Sequence, residues 1–315
     1  MKKIFLNNNF LIVAIALISI ITFNSCSDKE NYTLGELPSA DFTITPSATN
    51  ANLIVFTNTS TSVGMAYWEI PGLNLTTADL KGDEVSATFT FSGTYPVTFY
   101  LLGQGGMTKV TKNVTINQND PNACNGTAIG FLTGCGTKTW KMNPAPNAFW
   151  VSEWAGGVGS WWASDANSVT ERPCAFNDEH TFVFNAAGDF IFDDKGDFYS
   201  DGYLGNSPNN SCQSSSNYTA EQAPWASGNF KYVVIPTGGY YGLGQIKLIG
   251  LGAHIGIQKA INNNEITSGA TATSITYDIK SMVHDPAGYD LLTITMHYAS
   301  WSATQGWWTY TLRSY

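Results

Sequence analysis

Nine of the ten tryptophans fall after residue 123, at 140, 150, 154, 161, 162, 225, 301, 307 and 308. One stretch, Asn147–Asp165, reads NAFWVSEWAGGVGSWWASD and sets four indoles among Gly, Ser and Ala. A core strand would alternate and favour β-branched residues, so this composition reads as a loop presenting flat rings. Sugars suit such rings. A pyranose shows axial C–H groups on its faces and hydroxyls at its rim; an indole covers the face, and its quadrupole attracts the polarised C–H groups. Trp154, Trp161 and Trp162 are the candidate platforms. Glu153, Asp165 and Arg172 are the sequence-near groups that could fix hydroxyls. Neighbours on an extended segment point to opposite sides, so one of Trp161 and Trp162 should face a ligand and the other pack inward. Ser300-Trp301-Ser302 with Gly306-Trp307-Trp308 forms a second cluster. The competing reading makes all these rings core or loop anchors.

Catalysis finds less support. A glycoside hydrolase needs two carboxylates flanking the bond. Glu153, Asp165, Glu171, Asp178 and Glu179 could supply them by number, but not in a recognisable spacing. There is no nucleophile elbow, phosphate loop or HExxH helix. The chain is therefore read as a non-enzyme without a cofactor. Asp193-Asp194-Lys195-Gly196-Asp197 offers oxygens for calcium, yet lacks a bidentate Glu at EF-hand spacing; a solvated charged turn is the preferred reading. The four histidines, 180, 254, 284 and 297, are scattered.

The elements that must position these groups are strands. The chain has 315 residues, formal charge −9, 43% hydrophobic, 13% aromatic and 12% charged residues. That excludes a disordered chain and speaks against nucleic-acid binding, which needs a basic patch. The length suggests about two domains. Short alternating runs at 41–45, 53–57, 66–70, 86–91, 95–101 and 109–116 predict a small sandwich over residues 38–117. Residues 118–123 form a polar linker. Residues 124–315 hold strand candidates at 138–142, 180–185, 189–193, 228–235, 245–251, 255–260, 274–280, 291–298 and 307–312. They fit a jelly-roll-like sandwich of carbohydrate-binding-module type, the preferred fold, or a closed antiparallel barrel.

Residues 1–25 read as a signal peptide: Lys2 and Lys3 precede an apolar run, residues 10–23, that is short for a membrane span. Cys26 follows, and residues 26–37 form a polar tether ending near Pro38. Four cysteines remain, an even number suited to disulfides in an exported chain. Cys124–Cys135 and Cys174–Cys212 are the preferred pairs; zinc is disfavoured by the spacing and the scarcity of His.

Several of these segments carry resemblances. The run before Cys26 resembles a bacterial lipobox, departing from its commonest form at Phe23 and Asn24, which implies cleavage before Cys26 and a lipid on its sulfur. Ser27-Asp28-Lys29-Glu30 resembles the export signal of Bacteroidetes surface lipoproteins. Phe56 with Asn58-Thr59-Ser60, the Trp68 strand and Gly93-Thr94-Tyr95-x-Val97-Thr98-Phe99 look like a PKD domain, an immunoglobulin-like spacer with Trp68 and Tyr95 in its core. Pro71-Gly72 stands where that family usually has Gly-Asp-Gly. Gly159–Phe182, with its Ser-Trp-Trp run and Arg172-x-Cys174-x-Phe176-Asn177-Asp178-Glu179, resembles PKD-containing Flavobacterial surface proteins. The whole is similar to a surface glycan-binding lipoprotein of the polysaccharide-utilisation systems. That resemblance implies an outer-membrane, surface-exposed location, a polysaccharide or oligosaccharide ligand (β-glucans such as laminarin among others) and an outer-membrane glycan transporter as partner. A structural or adhesion lipoprotein without a glycan site is the alternative, and a hydrolase the third.

Overall fold

The computed structural model describes residues 35–70 and 79–315. The signal segment, Cys26 and most of the tether lie outside the described residues. The chain divides into two compact units: the first takes residues up to Thr45, Val55–Ser86 and Tyr95–Val114, the second Pro46–Ile54, Ala87–Thr94 and Thr115–Tyr315.

Among the described residues six strands carry the N-terminal sandwich: β1 (Phe42–Pro46), β2 (Leu53–Asn58), β3 (Met65–Glu69), β4 (Glu84–Thr88), β5 (Gly93–Gly103) and β6 (Gly106–Ile116). They form two three-stranded sheets, β1-β2-β4 and β3-β5-β6. Alternate residues turn inward, so Phe42, Phe56, Trp68 and Phe99 are all buried. Trp68 lies 4.4 Å from Phe99 and 5.2 Å from Phe42, ring centre to ring centre. Its indole N–H donates to Gly82 O at 2.8 Å. Trp68 is thus a core residue, whereas Tyr95 is half-buried.

The second unit opens with helices α1 (Pro121–Cys124) and α2 (Ala128–Thr133). Strands β7 (Thr137–Met142), β8 (Phe149–Ser152) and β9 (Trp162–Ala163) follow, then α3 (Ser168–Glu171) and α4 (Pro173–Asn177). The rest is β10 (Glu179–Val183), β11 (Asp189–Asp193), β12 (Asp197–Ser200), β13 (Ser211–Ser214), β14 (Gly228–Ile235), β15 (Gln245–Ile249), β16 (Ala260–Ile261), β17 (Asn264–Glu265), β18 (Ser274–His284), β19 (Asp290–His297) and β20 (Trp307–Ser314).

The expected jelly-roll-like sandwich is not what forms. Strands β7, β10, β11, β14, β15, β18, β19 and β20 each pair antiparallel with the next, and β20 returns to β7 through Leu312↔Met142 and Ser314↔Trp140. The result is a closed eight-stranded up-and-down barrel, the alternative named above. Closure gives each of the eight barrel strands a neighbour on both sides. The interior is filled, not hollow: Trp140, Phe182, Phe190, Ile246, Tyr277, Ile294, Tyr310 and Leu312 are buried together. The apolar run Ile255–Ala260, expected as a strand, enters this core instead. Ile255 is buried and its N–H donates to Tyr277 Oη at 2.9 Å. Gly252 and Gly256 at φ +89° and +78° break its extension, so it plugs the barrel end.

Both expected disulfides form, Cys124–Cys135 and Cys174–Cys212. They close loops of 11 and 38 residues. Chain entropy makes the longer one worth about 4 kcal/mol and the shorter about 3 kcal/mol. Denaturant melts of Cys174→Ser/Cys212→Ser and Cys124→Ser/Cys135→Ser proteins should show the first losing more stability. The reverse order would show that native packing, not loop length, sets the ranking.

Candidate functional site

The site is built on β20. Its alternate residues Trp308, Tyr310 and Leu312 enter the core, as do Leu292, Ile294 and Met296 of β19. Thr309 and Thr295 therefore face the outer wall, joined hydroxyl to hydroxyl at 2.9 Å. On its other side β20 has two partners in succession. Residues 312–314 pair with β7, while residues 307–310 pair with β8. The β8–β9 hairpin, with Val151↔Trp162 in register, thus extends the wall at one barrel end. The segment expected as a loop is a short hairpin whose tip folds over the outer wall. A bridge between Trp154 and Val158 closes that tip. Gly157 has φ +73°, and a Cβ there would collide with Thr309 Oγ1; only glycine permits both the conformation and the approach.

Polar bonds fix the tip. Lys280 Nζ donates to Gly156 O at 3.2 Å and Gly157 O at 2.7 Å. Tyr241 Oη donates to Gly156 O at 2.6 Å, and Trp150 Nε1 to Gly157 O at 3.2 Å. The Lys280 ammonium lies 5.2 Å from the Trp150 ring centre, and burial lowers its pKa. Trp150 and Trp307 are therefore anchors, the latter with Tyr240 5.9 Å away.

Other rings stay in water. Trp161, 47% exposed, stacks on Trp301, 61% exposed, with centroids 5.9 Å apart and planes 27° from parallel. Trp301 comes from the β19–β20 connection, whose Ser302 carbonyl lies 2.7 Å from His297 Nε2. Trp154 and Tyr240 are exposed on the same hairpin tip and on the loop packed against it. Trp162 turns the other way: its ring lies 5.5 Å from the core ring of Phe149 and 5.1 Å from the Arg172 guanidinium. The opposite facing of the pair holds, but Trp162 keeps 37% exposure rather than packing inside.

Arg172 also stacks on Tyr199 at 4.3 Å. Both line a cavity at the barrel end, with Phe149, Tyr310, His254, Gln258 and four carboxylates, Asp178, Asp194, Asp197 and Asp201. It leaves about 40 Å³ for the centres of water-sized molecules, room for a few waters and not for a sugar ring. Its charges are handled differently. Asp194 stays ionised: burial works against it, but Ser215 Oγ, Ser227 Oγ and the Gly196 N–H donate to its oxygens and prevail. Asp178 Oδ1 is buried with no hydrogen-bond partner among the described residues. Burial, then Asp194, Asp197 and Asp193, push that carboxyl well above its usual range. Burial also keeps His180 and His254 neutral, at about 3 and about 4.

The remaining candidates are scattered around this frame. Glu153 is half-buried beside Trp154. Asp165 is occupied in a turn, its Oδ1 accepting from Asn167 N, Ser168 N and Ser168 Oγ. In the 193–197 turn, Lys195 bridges Asp193 at 2.6 Å and Glu179 at 2.7 Å. Among the described residues no group of three or more His, Cys, Asp or Glu side chains is arranged to hold a metal. Sequence reasoning missed Tyr199, Asp201, Gln258 and Lys280: Lys280 comes from barrel strand β18, Tyr199 and Asp201 from the separate β12–β13 hairpin, and Gln258 from the segment that plugs the barrel end.

No family model matches the sequence, and no curated protein matches it. Among solved structures, the PKD1 domain of Vibrio anguillarum Epp is similar at 16% identity and TM-score 0.22, covering 26% of this chain and 96% of that one. The PKD1 domain of the Vibrio cholerae metalloprotease PrtV is similar at 17% identity and TM-score 0.22, covering 26% and 100%.

Two outcomes test this geometry. Gly157→Ala should cost about 2–4 kcal/mol, combining the positive φ with a forced clash, and should raise Trp fluorescence quenching by iodide as the tip lifts. A melt unchanged from the parent would contradict the close approach. Asp178 binds its proton more tightly folded than unfolded, where its value is 3.8. Its ionisation therefore lowers stability as pH rises through the folded value. Asp178→Asn should melt higher than the parent at pH 8, with the gain shrinking on acidification and vanishing below about pH 4. A pH-independent gain would rule out the buried carboxyl as its source.

Proposed function

We propose that this chain is a cell-surface lipoprotein that captures polysaccharide on the aromatic wall of its barrel, with the N-terminal sandwich serving as a PKD spacer. The observation carrying the reading is the Trp161–Trp301 stack held in water, with Trp154 exposed on the same hairpin as Trp161. Keeping such rings out of the core forgoes burial worth about 1.5–3 kcal/mol each, and contiguous exposed apolar surface marks a binding site. An open wall suits the repeated faces of a chain better than a single buried sugar. The acidic chain, at −9, favours a neutral glycan, such as a β-glucan, over a sulfated or uronic one.

Affinity electrophoresis across neutral and acidic polysaccharides should show retention by a neutral glycan, and a reducing-sugar assay should show no turnover. Against that glycan, Trp161→Ala and Trp301→Ala should each lose roughly 2–3 kcal/mol, tens- to a hundred-fold in titration calorimetry, at an unchanged melting temperature. Trp162→Ala should mainly lower the melting temperature, because it removes the ring between Phe149 and Arg172. Parent-like binding by both Trp161→Ala and Trp301→Ala would move the site elsewhere. Retention by no glycan would favour an adhesion role. Cys26→Ala should release the protein from the membrane fraction after a salt wash; a variant that still sediments would refute the anchor.

A further inference from the structure

The outer face of the β3-β5-β6 sheet is graded along its strands. Met65 pairs with Leu102 in register. The two-residue Gln104-Gly105 turn, together with the Thr98–Thr111 hydroxyl bond at 2.9 Å, sets Met107 opposite Leu102. Met65, Leu102 and Met107 thus form one row across three strands, all exposed, with the two methionines at 57%. The next row on this face is Tyr67, Tyr100 and Lys109, with Lys81 Nζ 5.8 Å from the Tyr67 ring centre. The row beyond is Glu69, Thr98 and Thr111. Apolar, then aromatic and cationic, then polar is the sequence of environments crossing the edge of a bilayer. Two residues along a strand advance about 6.7 Å, comparable to the roughly 5–10 Å that interfacial elements sink into the headgroup boundary.

The chain enters this unit at the apolar end. Ten residues separate Cys26 from Leu37, a span of at most about 40 Å. We infer that the Met65–Leu102–Met107 end of the first unit rests in the lipid surface that holds Cys26, with Tyr67, Tyr100, Lys81 and Lys109 at headgroup depth. This rests on the lipid-anchor reading of Cys26. Cationic Lys81 and Lys109 would meet lipid phosphates, and the apolar row would replace water by acyl chain.

The test uses the full lipidated chain reconstituted in phosphatidylethanolamine–phosphatidylglycerol vesicles. Met107→Cys carries a nitroxide label; the other described cysteines are paired. Asn113→Cys, exposed on the same face of the same strand, carries it about 20 Å away. On vesicles, the position-107 label should collide several-fold more with dissolved oxygen, and several-fold less with a water-soluble nickel chelate, than the position-113 label. Equal accessibility overturns the inference. Shielding of position 107 that appears in Cys26→Ala protein without vesicles and grows with concentration assigns the face to a second copy and also overturns it. Sedimentation is read first and separately: protein that does not pellet with vesicles fails the anchor reading, and the inference falls with it.

Discussion

The second unit depends on how β20 satisfies its backbone. The strand closes the barrel, yet β7 reaches only its last three residues, Leu312 to Ser314. Left alone, Trp307–Tyr310 would present unpaired N–H and C=O groups on that side, and an unmet buried group costs about 1–3 kcal/mol. The β8 segment supplies the missing partner at those four residues. A second, short partner for one strand is what carries Asn147–Asp165 to the rim. The Trp-rich hairpin is therefore part of the closure of the barrel and not an insertion appended to it.

The same dependence explains why the rings have different fates. The hairpin tip crosses the outer wall over Thr295 and Thr309, which are fully buried beneath it. Its carbonyls need donors there, and Lys280, Tyr241 and Trp150 provide them. Trp150 buries an edge to reach Gly157, so its face serves the fold. Trp161 and Trp301 have no such duty; they meet each other across two connections and remain wet. An indole is worth more to stability inside than on a rim, so an exposed stacked pair held by two separate loops needs another reason to exist.

Much of the fold was legible because strand alternation is local. Every barrel strand was anticipated within a few residues of its observed bounds, since Val, Ile, Phe and Tyr recur at period two. Closure was not legible: Leu312 meets Met142 at a separation of 170 positions, and nothing local distinguishes a barrel from two packed sheets. Ile255–Ala260 shows the same limit on a smaller scale. An apolar run reads alike whether it pairs as a strand or plugs a barrel end, and only Tyr277 and Tyr310 around it decide. At the site, the aromatic cluster was visible as composition, but Trp301 as the partner of Trp161 was not. Arg172 was singled out as a hydroxyl-binding group; its sandwich between Trp162 and Tyr199 came only with the fold. Asp165 illustrates the opposite error: a carboxylate next to the right rings is taken up by its own turn.

Trp161 and Trp162 divide the two surfaces of this rim between them. A single peptide step on an extended segment reverses the side chain, so one ring joins the wall platform while its neighbour leans toward the cavity through Arg172. The cavity is tight and dense in acid: burial and neighbouring carboxylates raise the pKa of Asp178, three donors lower that of Asp194, and burial lowers that of His254. Charging a buried group here carries a desolvation cost unless donors offset it, as they do at Asp194. The wall platform has no ionisable group in its stacked pair. The barrel end and the wall thus differ in chemistry, one dense in buried titratable groups and the other presenting ring faces, although Trp161 and Trp162 are adjacent in the chain.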